Sequence, residues 1–397
     1  PLLMGITLLL LLIEVLTLAV IRQHYYDRSW MRYYFFITVN SVLSIWLWVL
    51  WFRIMSFRGA YDEQVNMWVL MNFRGMAVGL VIPRVIMIIS HYAGRIKNRG
   101  QGTHNRVFTN TGISLAAVMM LIITAGTFYG RYNFRTEYHE IVIRDLSRDL
   151  DGLRIVHISD LHLTSFYHRQ ELLDDLMKRI NELEPDILVN TGDFVNVGWR
   201  EAGRFDTILA KASARYGKYA IMGNHDFGTY NPFFTEADME INSRLIKRFI
   251  EASGYRVLND EFTMLKIGEA GIALAGVNTK GSFPDIIHGD LEKALESIYG
   301  ADLKILLAHD PNQWDLEIAG KTDVDITLSG HTHGMQIGIM TEKIKWSPAR
   351  YFYPRWGGLY REGDQYLVVT RGLGVMGMPF RIGMPPEITV ITLKKEP

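Results

Sequence analysis

The chain has 397 residues, which is enough for two or three domains of ordinary size. Its 42 basic and 42 acidic side chains balance, so no overall field attracts nucleic acid and no nucleic-acid partner is expected. The sequence has no cysteine, which excludes a disulfide framework and metal sites built on thiolates.

Apolar residues concentrate in four stretches near the N-terminus. We predict membrane-spanning helices over residues 2–21, 33–57, 67–90 and 111–129, since a helix needs about 20 residues to cross a bilayer. Residues 1–132 would then form a transmembrane region that contacts the lipid bilayer. Two alternatives are a buried helical bundle in a soluble protein and a cleaved signal sequence in the first stretch.

Three charged residues lie inside these apolar stretches. Glu14, Arg74 and Arg84 are costly in lipid, so we expect them to face the helix bundle and form an ion pair. The pair would join Glu14 to either arginine. A functional site in the membrane, such as that of a transporter or a sensor, is the alternative.

The charges of the short loops predict the orientation of the helices. The first and third loops are basic, with Arg28 and Lys97 among their residues, whereas the second also carries Asp62 and Glu63. Basic loops stay in the cytoplasm, so everything after the fourth helix is expected outside it. Arg131 and other basic residues after that helix favour the opposite orientation.

The second half, residues 137–397, has the composition of a globular domain, and short apolar runs alternate with helical patterns. We predict strands at residues 154–159, 186–190, 218–222, 303–308 and 325–329. Between the first two, Leu173, Leu176 and Ile180 lie on one helical stripe, which predicts a crossover between parallel strands. The fold class is therefore α/β, with strands buried on both faces.

Polar residues follow each of these strands. The ends of parallel strands meet at one edge of a sheet, so we expect these side chains to converge there. The candidates are Asp160, His162, Asp193, Asn224, His225, His309, His331 and His333. A single histidine at a strand end is usually an ordinary polar group, but the ordered series predicts one shared site. Nitrogen and oxygen ligands without thiolate suit Mn, Fe, Zn or Co ions.

The series "GLRIVHISDLHL", "NTGDFV", "MGNHD", "LLAHDP" and "LSGHTHGMQ" resembles the calcineurin-like metallophosphoesterases. It is most similar to their membrane-associated bacterial, YkuE-like branch. The resemblance covers about residues 139–395 and leaves the four predicted helices outside. It implies a four-layer αββα sandwich, and together with the four apolar stretches it predicts a multi-pass protein of a bacterial cell membrane.

The resemblance also implies a role for each candidate residue. Asp160, His162 and His333 would hold one divalent metal ion, and Asn224, His309 and His331 a second. Asp193 would bridge both ions, and His225 would face the substrate. Two such cations acidify a bridging water to hydroxide, which attacks a phosphate ester or pyrophosphate bond. A non-catalytic scaffold with the same fold is the alternative.

Other residues are weaker candidates. Asp226 and Asp310 adjoin site residues, so we expect them to orient imidazoles, with a turn or cap carboxylate as the alternative. Arg371 and Arg381 are candidate phosphate contacts. Residues 343–360 mix basic and aromatic side chains, and residues 374–386 are rich in methionine. These two segments suggest a phosphorylated small-molecule or lipid substrate carried at a membrane, with ordinary surface loops as the alternative.

Overall fold

The structure, a computed structural model, describes residues 2–98, 105–279, 289–296, 298, 300–341 and 343–396. Four long helices come first: α1 Leu2–Tyr25, α2 Trp30–Met55, α3 Gln64–Lys97 and α4 Arg106–Phe128. Each is long and apolar enough to cross a membrane. The four predicted helices are confirmed. All of them extend beyond at least one predicted end.

The predicted ion pair among these helices joins Glu14 to Arg84, with 3.1 Å between Oε2 and Nη1. Asn40 and Ser44 donate hydrogen bonds to the Glu14 carboxylate, at 2.6 and 2.7 Å. The Arg84 guanidinium in turn donates to both of these side chains. Arg74 lies exposed on α3 instead. The two buried charges therefore satisfy each other inside one polar network.

The chain divides into two compact units. The first contains residues 1–58, 69–129 and 377–380, and the second contains residues 59–68, 130–376 and 381–397. Residues 59–68, which cover most of the connection between α2 and α3 and the first five residues of α3, thus belong to the second unit.

The second unit contains two six-stranded sheets. The first has the order β1-β14-β2-β3-β4-β5, with β1 Arg135–Ile143, β14 Glu387–Lys395, β2 Arg154–Ile158, β3 Ile187–Asn190, β4 Lys218–Ala220 and β5 Arg256–Val257. The second has the order β12-β13-β9-β8-β7-β6, with β12 Gly358–Glu362, β13 Gln365–Val369, β9 Ile326–Ser329, β8 Leu303–Ala308, β7 Ala270–Val277 and β6 Glu261–Ile267. A small hairpin pairs β10 Ile339–Met340 with β11 Lys345–Trp346. The helices of this unit are α5 Gln170–Glu182, α6 Asp206–Leu209, α7 Glu236–Ala252 and α8 Leu291–Leu295.

Three clusters of buried side chains define the layers. Ile155 of the first sheet and Leu307 of the second share the core between the sheets. Leu173 of α5 packs in the cluster on the outer face of the first sheet. Trp314, in a π-helical turn at Trp314–Ile318, and Ala294 of α8 cover the second sheet. The predicted four-layer αββα sandwich is confirmed.

The prediction that all the candidate site residues lie at one edge of a single sheet is wrong. The strands β2, β3 and β4 pair in parallel in the first sheet, whereas β8 and β9 pair in parallel in the second. All five predicted strands are present. Two stacked sheets bury the apolar faces of all five strands, and the loops that follow the strands of both sheets carry the site residues.

Candidate metal centre

The chain turns sharply where the candidate ligands lie. Five of them have a positive φ angle: Asp160 (53°), His162 (39°), Asp193 (58°), His331 (70°) and His333 (50°). Left-handed backbone is unfavourable for residues with a side chain, and its concentration in one place points to a functional constraint. The loops therefore hold these side chains in fixed directions.

A first cluster contains Asp160, His162 and His333. The Nε2 atoms of the two imidazoles are 3.1 Å apart, and Nε2 of His333 is 3.3 Å from Oδ1 of Asp160. Ligand atoms bound at right angles around one cation, each about 2.1 Å away, are about 3 Å apart. The three buried side chains therefore have a spacing that fits one cation.

A second cluster contains Asp193, His309 and His331. Nε2 of His309 is 3.1 Å from Oδ2 of Asp193 and 3.2 Å from Nδ1 of His331. These separations also fit three ligands around one cation.

The Asp193 carboxylate lies between the two clusters. Its Oδ2 atom is 3.1 Å from the His309 imidazole and 3.8 Å from the His162 imidazole. Burial favours a raised pKa for this carboxyl group, but His309 and His225 outweigh that effect and hold the pKa of Asp193 well below its usual value. Asp193 is therefore an ionised carboxylate within reach of both clusters.

Backbone carbonyls fix the tautomers of two of the imidazoles. Nδ1 of His162 donates to the carbonyl of Val195 at 3.1 Å, and Nδ1 of His309 donates to the carbonyl of Thr191 at 2.6 Å. With the proton on Nδ1, each ring, when it is neutral, presents the lone pair of Nε2 to the cluster. This is the form in which histidine binds a metal ion.

Asn224 adds an oxygen that lacks a partner. Its buried Oδ1 atom has no hydrogen-bond partner among the described residues, while its Nδ2 atom donates to the Tyr230 hydroxyl at 2.9 Å. A buried acceptor without a partner costs about 1–3 kcal/mol. A cation bound to Oδ1 would remove that cost, so the donors of this site fit a divalent ion.

His225 stands next to the two clusters with one ring nitrogen engaged. Its Nδ1 atom donates to the carbonyl of Asn196 at 2.6 Å, and its ring stacks on Tyr230 with centroids 4.2 Å apart. The ring centroid of His162 is 5.1 Å away. The Nε2 atom of His225 is thus the ring position left for a substrate.

Of the two neighbouring carboxylates, Asp226 differs from expectation. Both oxygens of Asp226 accept from backbone amides, so the expectation that it orients an imidazole is wrong. Asp310 lies 3.9 Å from Nε2 of His331, beyond hydrogen-bond distance. The hydrogen-bond partner of that nitrogen is the Tyr353 hydroxyl, at 2.9 Å.

The two arginines are not placed to bind phosphate, which corrects the expectation for them. Arg371 is 1% exposed and forms ion pairs with Glu387 at 2.8 Å and Glu137 at 2.9 Å. Arg381 is equally buried, and it donates to the backbone carbonyls of residues 371, 372, 374 and 384 and to Nδ1 of His333. Both guanidinium groups satisfy buried acceptors of the fold.

Sequence reasoning missed two side chains beside the site. Tyr353 contacts His331, although its aromatic-rich segment indicated a surface role. Glu201 lies fully buried behind the loop that holds His225, and nothing in the sequence around it pointed to that position.

Comparisons with known proteins identify several that this chain is similar to. The family model described as calcineurin-like phosphoesterase matches residues 153–335. The uncharacterized metallophosphoesterase YkuE of Bacillus subtilis is 31% identical over 68% of this chain and 92% of its own length. A transmembrane protein with metallophosphoesterase domain from Danio rerio is 30% identical over 84% of this chain and 75% of its own. A solved metallophosphoesterase from Sphaerobacter thermophilus aligns with a TM-score of 0.27 at 16% identity, covering 56% of this chain and 78% of that chain.

The similarity to the Danio rerio protein covers more of this chain than the second unit alone. Residues 130–397 make up about two thirds of the chain, so an alignment over 84% of it must extend into the helices. For this relative, the similarity therefore extends beyond the region of the predicted resemblance.

Proposed function

Because the chain belongs to the calcineurin-like phosphoesterase family and is a metal-dependent phosphoesterase, we propose that it holds two divalent cations and cleaves a phosphate ester or pyrophosphate bond of a membrane-borne substrate. The observation that carries this proposal is the position of Asp193. Its carboxylate lies within 3.8 Å of an imidazole from each of two ligand clusters.

The proposed ligands divide between the two ions. Asp160, His162 and His333 would hold one cation and Asn224, His309 and His331 the other, with Asp193 shared between them. Two bound cations would supply a nucleophile from water at neutral pH and offset charge on the phosphoryl oxygens.

His225 is the proposed proton donor to the leaving oxygen. Its Nδ1 proton is held by the Asn196 carbonyl, so a protonated ring carries its transferable proton on Nε2. Stacking on Tyr230 fixes the plane of the ring. The chain thereby keeps one acid in a defined direction beside the two clusters.

The surface close to the second cluster supports a lipid-borne substrate. Ile344, Tyr351 and Phe352 are 54%, 72% and 67% exposed, and basic side chains including Arg350 accompany them. The same segment continues to Tyr353, which contacts His331. Exposed aromatic and basic side chains suit lipid headgroups. Trp356 does not contribute to this surface, because it is 7% exposed and buried in a small cluster of its own.

The protein is a membrane protein, and we propose that its catalytic domain lies outside the cytoplasm. Residues 59–68 and residues 130–376 belong to one compact unit, which supports an even number of membrane crossings between them. The helices α3 and α4 provide two. Because basic loops stay in the cytoplasm, the first and third loops favour an orientation in which they are cytoplasmic and the catalytic domain is on the other side of the membrane.

Metal analysis and a substrate panel test the catalytic proposal. The full-length protein reconstituted with Mn²⁺ should bind two ions and hydrolyse a phosphodiester, a monoester or a pyrophosphate. The Asp193→Asn variant should lose cation content, and His225→Ala should keep the ions but lose turnover by about 100-fold or more. A protein that binds no cation, or a His225→Ala variant with full activity on every substrate, would refute the mechanism. A metal-loaded wild type without activity would favour a scaffold.

A second experiment tests the lipid-borne substrate. The double variant Tyr351→Ala and Phe352→Ala should lower turnover of a lipid phosphate in vesicles and leave a soluble aryl phosphodiester unaffected. The two side chains are exposed, so their removal should not disturb the fold. Equal losses on both substrates would contradict the lipid proposal and leave the hydrolysis proposal standing.

A further inference from the structure

The short connection between α2 and α3 contains a fully buried carboxylate. Asp62 is 0% exposed, and its Oδ1 atom forms an ion pair with Nη1 of Arg200 at 3.0 Å. Its Oδ2 atom accepts from the backbone amide of Arg200 at 3.2 Å. Two residues later, Nε2 of Gln64 donates to the carbonyl of Glu201 at 2.9 Å. Asp62 in the connection and Gln64 at the start of α3 therefore hold Arg200 and Glu201, the last two residues of the segment 196–201.

Two glycines of the second unit make room for these contacts. A Cβ atom on Gly198 would collide with the Asp62 carboxylate, although its extended φ of 178° suits any residue. A Cβ atom on Gly203 would overlap the Gln64 amide. Side chains at either position would displace the connection. The fit is thus close and depends on both partners.

A second buried carboxylate, that of Glu201, belongs to the segment 196–201 and forms hydrogen bonds with its backbone. The side chain of Glu201 is 0% exposed and accepts from the backbone amides of Asn196, Val197 and Gly198 at 2.6–3.2 Å. It also accepts from the Asn196 amide group and from the Thr164 hydroxyl, both at 2.8 Å. Thr164 follows the candidate ligand His162 by two residues. One carboxylate thereby ties the loop after β3 to the loop after β2.

The first residue of this segment, Asn196, contacts the proposed catalytic histidine, His225. The carbonyl of Asn196 accepts the Nδ1 proton of His225 at 2.6 Å, so its position sets both the tautomer and the direction of the ring. A continuous series of contacts therefore runs from Asp62 through Arg200 and Glu201 to Asn196 and His225.

We infer that Asp62 and Glu201 are positioning residues for His225, and that the connection between two membrane helices is part of the support of the active site. The inference rests on the proposed role of His225 as the acid that protonates the leaving oxygen. The hydrogen bonds of both carboxylates go to residues other than the candidate metal ligands, so the effect should fall on proton donation and not on metal binding.

The leaving group of the substrate provides the test. A nitrophenolate departs without a proton, whereas an alkoxide needs the acid, so loss of a well-placed acid lowers turnover only for the alkyl ester. In the full-length protein loaded with Mn²⁺, Asp62→Ala should lower kcat on an alkyl phosphodiester by about 10- to 100-fold, as for other residues that orient a functional imidazole. The kcat on the nitrophenyl ester and the cation content should stay near the wild-type values. The variant Asp62→Asn keeps the shape of the side chain and one accepting oxygen. Its kcat on the alkyl ester should therefore fall between those of the wild type and Asp62→Ala.

Combined variants and a matched control complete the experiment. In a His225→Ala background, Asp62→Ala should cause no further loss, because the residue acts through that ring. The double variant Arg361→Ala and Asp364→Ala removes an exposed ion pair of the same unit at 3.3 Å, and it should behave as wild type on both esters.

The outcomes separate the two proposals. Equal losses on both esters, a loss of cations, or unchanged turnover of Asp62→Ala on the alkyl ester would overturn the positioning role while hydrolysis stood. A wild type without activity, or a His225→Ala variant with no preference between the esters, would overturn the proposed function and this inference with it.

Discussion

Replacing Asp226 by asparagine isolates the contribution of one buried carboxylate to the metal centre. Its oxygens accept from the amides of Asp193 at 2.9 Å, Phe194 at 2.8 Å, Val195 at 3.2 Å and Gly223 at 2.9 Å. An asparagine presents a donor in place of one oxygen, so either orientation of its amide leaves two backbone amides without an acceptor. At about 1–3 kcal/mol for each buried donor, we expect a loss of about 2–6 kcal/mol of stability.

Thermal unfolding and metal analysis check this expectation. For a unit of this size the loss corresponds to a fall of roughly 5–20 °C in Tm. The Asp193 loop should also shift, so the variant should bind fewer cations. The control is Asp364→Asn, whose carboxylate is 78% exposed and which should change stability by less than about 0.5 kcal/mol. A variant of Asp226 with wild-type Tm and full cation content would refute the argument.

Two further substitutions give distinct results. Asn224→Ala should lower the cation content by about one ion per chain and leave Tm of the metal-free protein nearly unchanged, because Oδ1 has no protein partner among the described residues; an unchanged cation content would contradict the ligand role. Arg371→Met should lower stability by about 3–5 kcal/mol, because it leaves the buried Glu387 carboxylate unpaired, and should not alter KM for any phosphate ester. Thermal unfolding and steady-state kinetics distinguish this from phosphate binding, which would raise KM at constant Tm.

The order of elements and the convergence of the site were predictable because both are local properties. Continuous apolar runs identify buried strands, and a polar residue directly after such a run lies at the strand end. His309 after β8 and His331 after β9 follow that rule, as Asp160 does after β2. The four N-terminal helices were predictable for the same reason, since their length and hydropathy are visible in the sequence.

The pairing of strands into two sheets was not predictable from the same runs. β14, at the end of the chain, inserts between β1 and β2, and β13 separates β12 from β9. β14 is far in the sequence from β1 and β2, and β13 is far from β9, while a buried strand has the same composition in either sheet. Only the resemblance to a family predicted the sandwich. The apolar runs alone favoured a single edge.

The roles of the buried acids were the hardest to predict, because a role depends on what the carboxylate faces. Asp226 and Glu201 face backbone amides, which every sequence provides, and Asp62 faces an arginine 138 residues away. In contrast, Oδ2 of Asp193 faces imidazoles whose own protons are directed elsewhere, so their lone pairs and its charge point to the same space. A carboxylate surrounded by donors already has its hydrogen bonds and serves to fix loops. A carboxylate that faces lone pairs is stable only when a cation, or a proton on one of the rings, lies between them. That difference in partners is why we propose Asp193 as the residue shared by the two metal ions.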